Sequence, residues 1–150
     1  MAITYPQRKT IYDTLCVLKA TGTVATTLMT GENPLGTDFT FDTGGGRTKG
    51  RVVYDISRMG ATTLASILPS AKVTMRLQGG MDTAFASLAD LHILELGDST
   101  QISAEVDKGA GIYIAPFEND FGGQTYRYLR HRITIAGTIS TITYTSWITK

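Results

Sequence analysis

The chain has 150 residues, of which 42% are hydrophobic and 18% charged, and this length and composition are typical of one globular domain. Its net charge of +1 and pI of about 7.8 argue against a general nucleic-acid binder, because such proteins cluster basic residues and usually have a pI above about 9. The single cysteine, Cys16, excludes an internal disulfide framework and a cysteine-based metal site.

The composition favours β structure. The sequence contains 24 threonines, whose β-branched side chains suit half-exposed strands. It also has 16 glycines and only 4 prolines, a balance that favours tight turns. No run approaches 18 apolar residues and the N-terminus lacks a hydrophobic signal core, so we expect a soluble chain made in the cytoplasm.

The first third of the chain is predicted to contain an arm followed by short strands. Residues 1–10 are polar and include Pro6, which predicts a flexible arm. The pattern that follows predicts two strands, over 11–20 and 24–29, and then a turn over 31–36. A short edge strand over 39–41 and a glycine-rich loop over 44–50 come next.

Alternating apolar residues predict the central strands. The clearest examples place Val52, Tyr54 and Ile56 on one face of a strand over 51–58, and Val73, Met75 and Leu77 on one face over 73–78. Two further strands are predicted over 91–96 and 101–106. Between these strands, residues 59–68 support at most one helical turn, and residues 82–90 form a capped turn or a loop that buries Phe85 and Leu88.

The last third is predicted to end in a hairpin. Ile112 and Ile114 lie on one face of a strand, and Pro116 is predicted to open a loop that runs to Gly123. Residues 124–149 contain two runs of β-branched and aromatic residues that meet at Gly137, which is the pattern of an antiparallel hairpin. About eight or nine short strands predict a single antiparallel β-sandwich domain over 11–150, most simply a jelly roll.

The sequence carries no recognisable catalytic or metal-binding motif. His92 and His131 lie on separate predicted strands without cysteine or histidine at ligand spacing, and His131 between Arg130 and Arg132 suggests a cationic face. The loop over 44–50 is rich in glycine but lacks the spacing and the flanking helix of a phosphate-binding loop. We therefore expect no enzyme activity, no cofactor and no metal.

Three segments together resemble a known family. They are 73–88, with the sequence VTMRLQGG before DTAFASL, then KGAGIYIAP at 108–116, and YRYLR at 126–130 leading to the final threonine-rich strand. Their order is similar to that in the small capsid cement (decoration) proteins of tailed phages. The resemblance implies a jelly-roll subunit on the outside of an HK97-type shell, where it bridges major capsid subunits as a dimer or trimer. From the low net charge and the lack of a long apolar run, we also expect no nucleic-acid partner and no membrane partner.

For such a role, aromatic and basic residues outside regular structure are the candidate contacts, because aromatics and arginine are the usual interface anchors. The candidates lie on the arm, in the glycine-rich loop and before the predicted hairpin: Tyr5, Arg8, Lys9, Arg47, Lys49, Arg51, Phe117 and Phe121.

Two alternatives stay open. A carbohydrate-binding module or adhesin domain could use a similar sandwich, with Trp147 as a sugar platform, although we interpret Trp147 as a packing residue. An enzyme on a cupin-like jelly roll would need clustered metal-binding histidines, which His92 and His131 do not supply.

Overall fold

Strands occupy most of the described part of the chain. The computed structural model describes residues 16–24, 31–32, 38–59, 71–97, 111–137 and 142–149. These ranges contain twelve strands: β1 (Val17–Val24), β2 (Gly31–Glu32), β3 (Asp38–Phe39), β4 (Phe41–Asp42), β5 (Lys49–Met59), β6 (Ala71–Gly80), β7 (Leu88–Gly97), β8 (Gly111–Glu118), β9 (Asp120–Phe121), β10 (Gln124–Thr125), β11 (Tyr128–Gly137) and β12 (Ile142–Thr149).

Eight of these strands form two antiparallel sheets. The first sheet has the order β1-β12-β5-β8 and the second has the order β4-β11-β6-β7. The pairing is nested along the chain, since β1 pairs with β12, β4 with β11, β5 with β8, and β6 with β7. This is the strand arrangement of a jelly roll. The predicted all-β sandwich is therefore confirmed, with β2–β3 and β9–β10 as two additional short ribbons.

The core lies between the two sheets and follows the predicted alternation. Every second residue of a strand faces the opposite sheet. Val52 and Tyr54 on β5 face inward, as do Val73, Met75 and Leu77 on β6, and each of these side chains has no exposed surface. The inward faces predicted for these two strands are confirmed.

The predicted C-terminal hairpin is wrong. β11 pairs with β6 and β4 in the second sheet, whereas β12 pairs with β5 and β1 in the first. The two strands face each other across the core, where the Nε2 atom of His131 and the hydroxyl of Tyr144 are 2.6 Å apart. Alternating side chains report which face of a strand is buried and do not specify its neighbour. Two strands can therefore bury the same faces by lying in opposite sheets.

Other boundaries also differ from the prediction. β8 continues through Pro116 to Glu118, which is possible because β8 is the edge strand of its sheet. The loop over 81–87 buries Phe85 at 5% exposure, as expected, but Leu88 is 41% exposed because it starts the outer face of β7. The predicted arm, the strand over 101–106 and the turn over 59–68 lie outside the described residues, apart from Met59 at the end of β5.

Candidate partner-binding surface at one end of the sandwich

Two loops that are far apart in the sequence meet at one end of the sandwich. β5 and β8 are paired so that Lys49 lies opposite Glu118, and β4 and β11 are paired so that Asp42 lies opposite Tyr128. The β4–β5 connection therefore lies beside the chain that links β8 to β11. We call the surface formed by residues 42–49 and 118–127 the loop platform.

Asn119 holds the loop platform together. Its side chain has no exposed surface. The Oδ1 atom accepts a hydrogen bond from the Thr48 amide at 2.6 Å, and Nδ2 donates to the carbonyls of Gly46 and Tyr126, both at 2.9 Å. Its backbone N–H also donates to the Thr48 carbonyl at 3.0 Å, and its carbonyl accepts from the Tyr126 amide at 2.7 Å. One buried amide thus ties both loops into a single unit.

The glycine-rich loop makes a tight turn next to a charged pair. Gly44 and Gly45 have φ values of 82° and 85°, in the left-handed region that favours glycine. Asp42 accepts a hydrogen bond from the Gly44 amide at 2.8 Å and two from the Arg127 guanidinium, at 2.9 Å and 2.8 Å. The hydrogen bonds from Arg127, followed by the one from Gly44, lower the pKa of the Asp42 carboxyl to about 2.

The structure brings part of the predicted contact set together on this platform. Arg47 forms an ion pair with Asp120, and Lys49 forms one with Glu118 at 2.7 Å. The basic side chains of these pairs are 78% and 74% exposed. Phe121 is 58% exposed. Exposed pairs of this kind add little stability, so these charges are available to orient a partner.

A shallow groove lies beside Phe121. Its volume is about 350 Å³, and Leu91, Pro116, Glu118 and Asp120 line it together with Phe117 and Phe121. The groove combines apolar surface with two carboxylates that already have basic partners. Such a mixture suits a protein contact with an apolar centre and a polar rim.

The remaining predicted contact residues lie elsewhere. Phe117 is 3% exposed and belongs to the core, because alternation along β8 directs Tyr113, Ala115 and Phe117 inward. The structure therefore corrects the assignment of Phe117 as a contact residue. Arg51 is exposed on the outer face of the first sheet, opposite Pro116 in the β5–β8 pair. The three candidates on the arm, Tyr5, Arg8 and Lys9, lie outside the described residues.

No family model, curated protein or solved structure matches the chain. Its function is therefore inferred from the surface itself. Within the described ranges, no three His, Cys, Asp or Glu side chains are grouped so that they could hold a metal ion. The same ranges contain no helix with the length and apolar character needed to cross a bilayer.

The two histidines lie on the core side of the second sheet. His131 has no exposed surface, and its ring centre is 5.6 Å from that of Tyr54 on the first sheet. The prediction that His131 belongs to a cationic face is wrong, since Arg130 and Arg132 point to the opposite side of β11. His92 lies 6.4 Å from Tyr54 by ring centres, and burial lowers the pKa of its imidazole. Its buried Nδ1 atom has no hydrogen-bond partner among the described residues.

The residues that organise the platform could not be predicted from the sequence. Asn119, Asp42 and Arg127 carry most of its hydrogen bonds. Asp42 and Arg127 are separated by 85 positions, so only the fold makes them partners. The one local signal is that Asn119 stands between two acidic residues, Glu118 and Asp120, in a stretch rich in aromatic residues.

Proposed function

We propose that this protein is a capsid cement (decoration) protein of a tailed phage. In this role the jelly roll binds the outer surface of an HK97-type shell and stabilises the contacts between major capsid subunits. The protein is then located on the exterior of the virion. The observation that carries the proposal is the loop platform, whose two loops are fixed by hydrogen bonds and which exposes an aromatic ring and basic side chains to a partner.

Rigidity favours such a platform as a binding surface. The Asn119 hydrogen bonds already fix both loops, so little conformational freedom is lost when a partner binds. Phe121 supplies an exposed aromatic anchor. The ion pairs of Arg47 and Lys49 place charges of both signs around Phe121. Such charges mainly orient an approaching partner and add little to binding affinity.

Self-association, the second part of the proposal, is supported by β8. This strand is an edge of the first sheet, and its outward side chains Ile112 and Ile114 are 65% and 51% exposed. A long apolar edge strand is a ready site for pairing with another chain. Copies joined in this way would bind a symmetric shell at several points, and avidity would multiply a modest affinity per contact.

Ile114→Lys tests this part by placing a charge at the centre of the exposed edge. We expect the parent protein to sediment as a dimer or trimer and the I114K variant as a monomer, since a charge on an edge strand opposes pairing. Sedimentation velocity at several concentrations measures both. A parent protein that remains a monomer at high concentration would refute self-association through β8.

The carbohydrate-binding alternative depended on Trp147 as an open aromatic platform. Trp147 is 8% exposed and packs with Val17 and Val53 on the outer face of the first sheet. Its ring face is therefore not available to stack on a sugar. Packing is the role that the sequence also favours for this residue, and we propose no sugar-binding function on it.

Binding to isolated HK97-type shells tests the main proposal. We expect the protein to add to expanded shells but not to immature ones, and to raise the temperature at which expanded shells open. Phe121→Ala should weaken binding about tenfold, since buried aromatic anchors carry much of an interface's affinity. Ile93→Ala is the matched control, because Ile93 is 48% exposed on the outer face of β7 and away from the platform. No binding to either shell at micromolar concentrations would refute the proposal.

A further inference from the structure

The outer face of the second sheet carries unbalanced positive charge. Alternation along β6, β7 and β11 directs six charged side chains to this face: Lys72, Arg76, Asp90, Glu95, Arg130 and Arg132. Lys72 pairs with Glu95 at 3.0 Å, and Arg76 pairs with Asp90 at 3.3 Å. Neither Arg130 nor Arg132 has a carboxylate partner among the described residues. The two excess charges are on one face of a chain whose total charge is only +1.

Arg130 has a structural role that accounts for its position. Its Nε donates a hydrogen bond to Gln78 Oε1 at 3.0 Å, and Gln78 in turn donates to Asp90 at 2.8 Å. The guanidinium lies 4.2 Å from the centre of the Phe85 ring, a cation–π contact. Arg130 is 8% exposed and fastens the loop over 81–87 onto the sheet.

Arg132 has no such role. It lies directly opposite Arg76 in the β6–β11 pair, and like charges in this position destabilise a sheet. Its Nε is buried and has no hydrogen-bond partner in the described part of the chain, which adds the cost of an unmade hydrogen bond. Arg76 uses its Nε for Asp90 and its Nη1 for Thr134, both at 3.3 Å, and its Nη2 has no partner among the described residues. An anion between the two guanidinium groups would remove the repulsion between them.

We propose that Arg132 and Arg76 together bind one carboxylate, presented by an acidic segment of a partner protein. Directly opposed residues on antiparallel strands are about 5 Å apart at Cα, so both planar guanidinium groups can reach the two oxygens of one carboxylate. Arg76 and Arg132 are both partly exposed on this face, so a carboxylate carried by a macromolecule can approach them. The low net charge of the chain argues against a nucleic acid as that macromolecule. This face is separate from the loop platform, so carboxylate binding here is independent of the proposed function.

The test is a titration of the isotope-labelled protein with a synthetic peptide of alternating serine and glutamate. We expect the Nε–Hε signals of Arg76 and Arg132 to shift, and the same peptide with glutamine in place of glutamate to leave them unchanged. Arg132→Gln should weaken binding about tenfold, the effect of losing one charge-assisted pair. Arg51→Gln is the matched control, because it removes an equal charge from an exposed arginine on the other sheet and should leave the affinity unchanged.

Three results would overturn the inference. The first is an equal loss of affinity in R51Q and R132Q, which would mean general attraction between charges. The second is tighter binding of a single-stranded oligonucleotide with the same dependence on Arg132. The third is a large fall in the melting temperature of R132Q without peptide, which would make Arg132 structural. We expect R132Q to melt at or above the parent temperature, because it removes the like charge opposite Arg76.

Discussion

The central role of Asn119 leads to a quantitative prediction about stability. Asn119→Ala removes the side-chain partner of three backbone groups, the amide of Thr48 and the carbonyls of Gly46 and Tyr126. An unsatisfied buried polar group costs about 1–3 kcal/mol. Water can reach part of this exposed end of the sandwich, so we take about 1 kcal/mol for each group. The expected loss is about 3 kcal/mol, which lowers the melting temperature by about 6–12 °C in a domain of this size.

Urea unfolding, followed by circular dichroism and by the fluorescence of Trp147, measures this loss. Gln124→Ala is the control, because Gln124 is an exposed residue of the same platform and its replacement should change stability by less than about 0.5 kcal/mol. The slope of the unfolding free energy against urea should stay constant between the variants, so that the shift in midpoint reports stability alone.

Asn119→Asp separates the hydrogen-bond argument from simple loss of packing. Aspartate keeps an acceptor for the Thr48 amide but places a second oxygen against the carbonyls of Gly46 and Tyr126, where Nδ2 now donates. At pH 7 the variant should therefore be at least as unstable as Asn119→Ala, and it should recover as acid protonates the new carboxyl. A loss below about 1 kcal/mol in Asn119→Ala, or an Asn119→Asp variant as stable as the parent at pH 7, would show that these hydrogen bonds do not hold the platform together.

Three further predictions concern pH and packing. The pKa of Asp42 is lowered to about 2 in the folded protein. Its contribution to stability is therefore complete above the unfolded pKa of 3.8 and is lost as the pH falls towards 2. In urea titrations, the difference in unfolding free energy between the parent and D42N should disappear over that range. Burial lowers the pKa of His92, so the folded protein keeps this imidazole neutral. Stability should therefore decline as the pH falls below the unfolded pKa of 6.5, because the unfolded chain gains a proton there. If the stability of H92Q declines equally steeply with falling pH, His92 is not the cause. Gly80→Ala should lower the unfolding free energy by about 1–3 kcal/mol, because the new Cβ would lie 2.4 Å from the Phe85 ring. Gly46→Ala is the control: Gly46 has open space around it, so its replacement should leave the melting temperature nearly unchanged.

The candidate site was only partly predictable from the sequence. Arg47, Lys49 and Phe121 were predicted as contacts from residue type and loop position, and they lie on one exposed surface. Phe117 was grouped with Phe121 because both follow Pro116, but they occupy opposite environments. Their difference depends on where β8 ends, since alternation continues to Glu118 and directs Phe117 into the core.

The fold class and the inward faces of the strands could be predicted from the amino-acid pattern alone. The alternation of Val52, Tyr54 and Ile56 is a local property of a pleated strand, so it can be read without knowing the neighbours. The placement of β11 and β12 in opposite sheets, and the joining of two distant loops by one asparagine, became visible only in the folded chain. Strand pairing and loop contacts depend on residues far apart in the chain, and many pairings bury the same faces equally well, so a local pattern cannot choose among them.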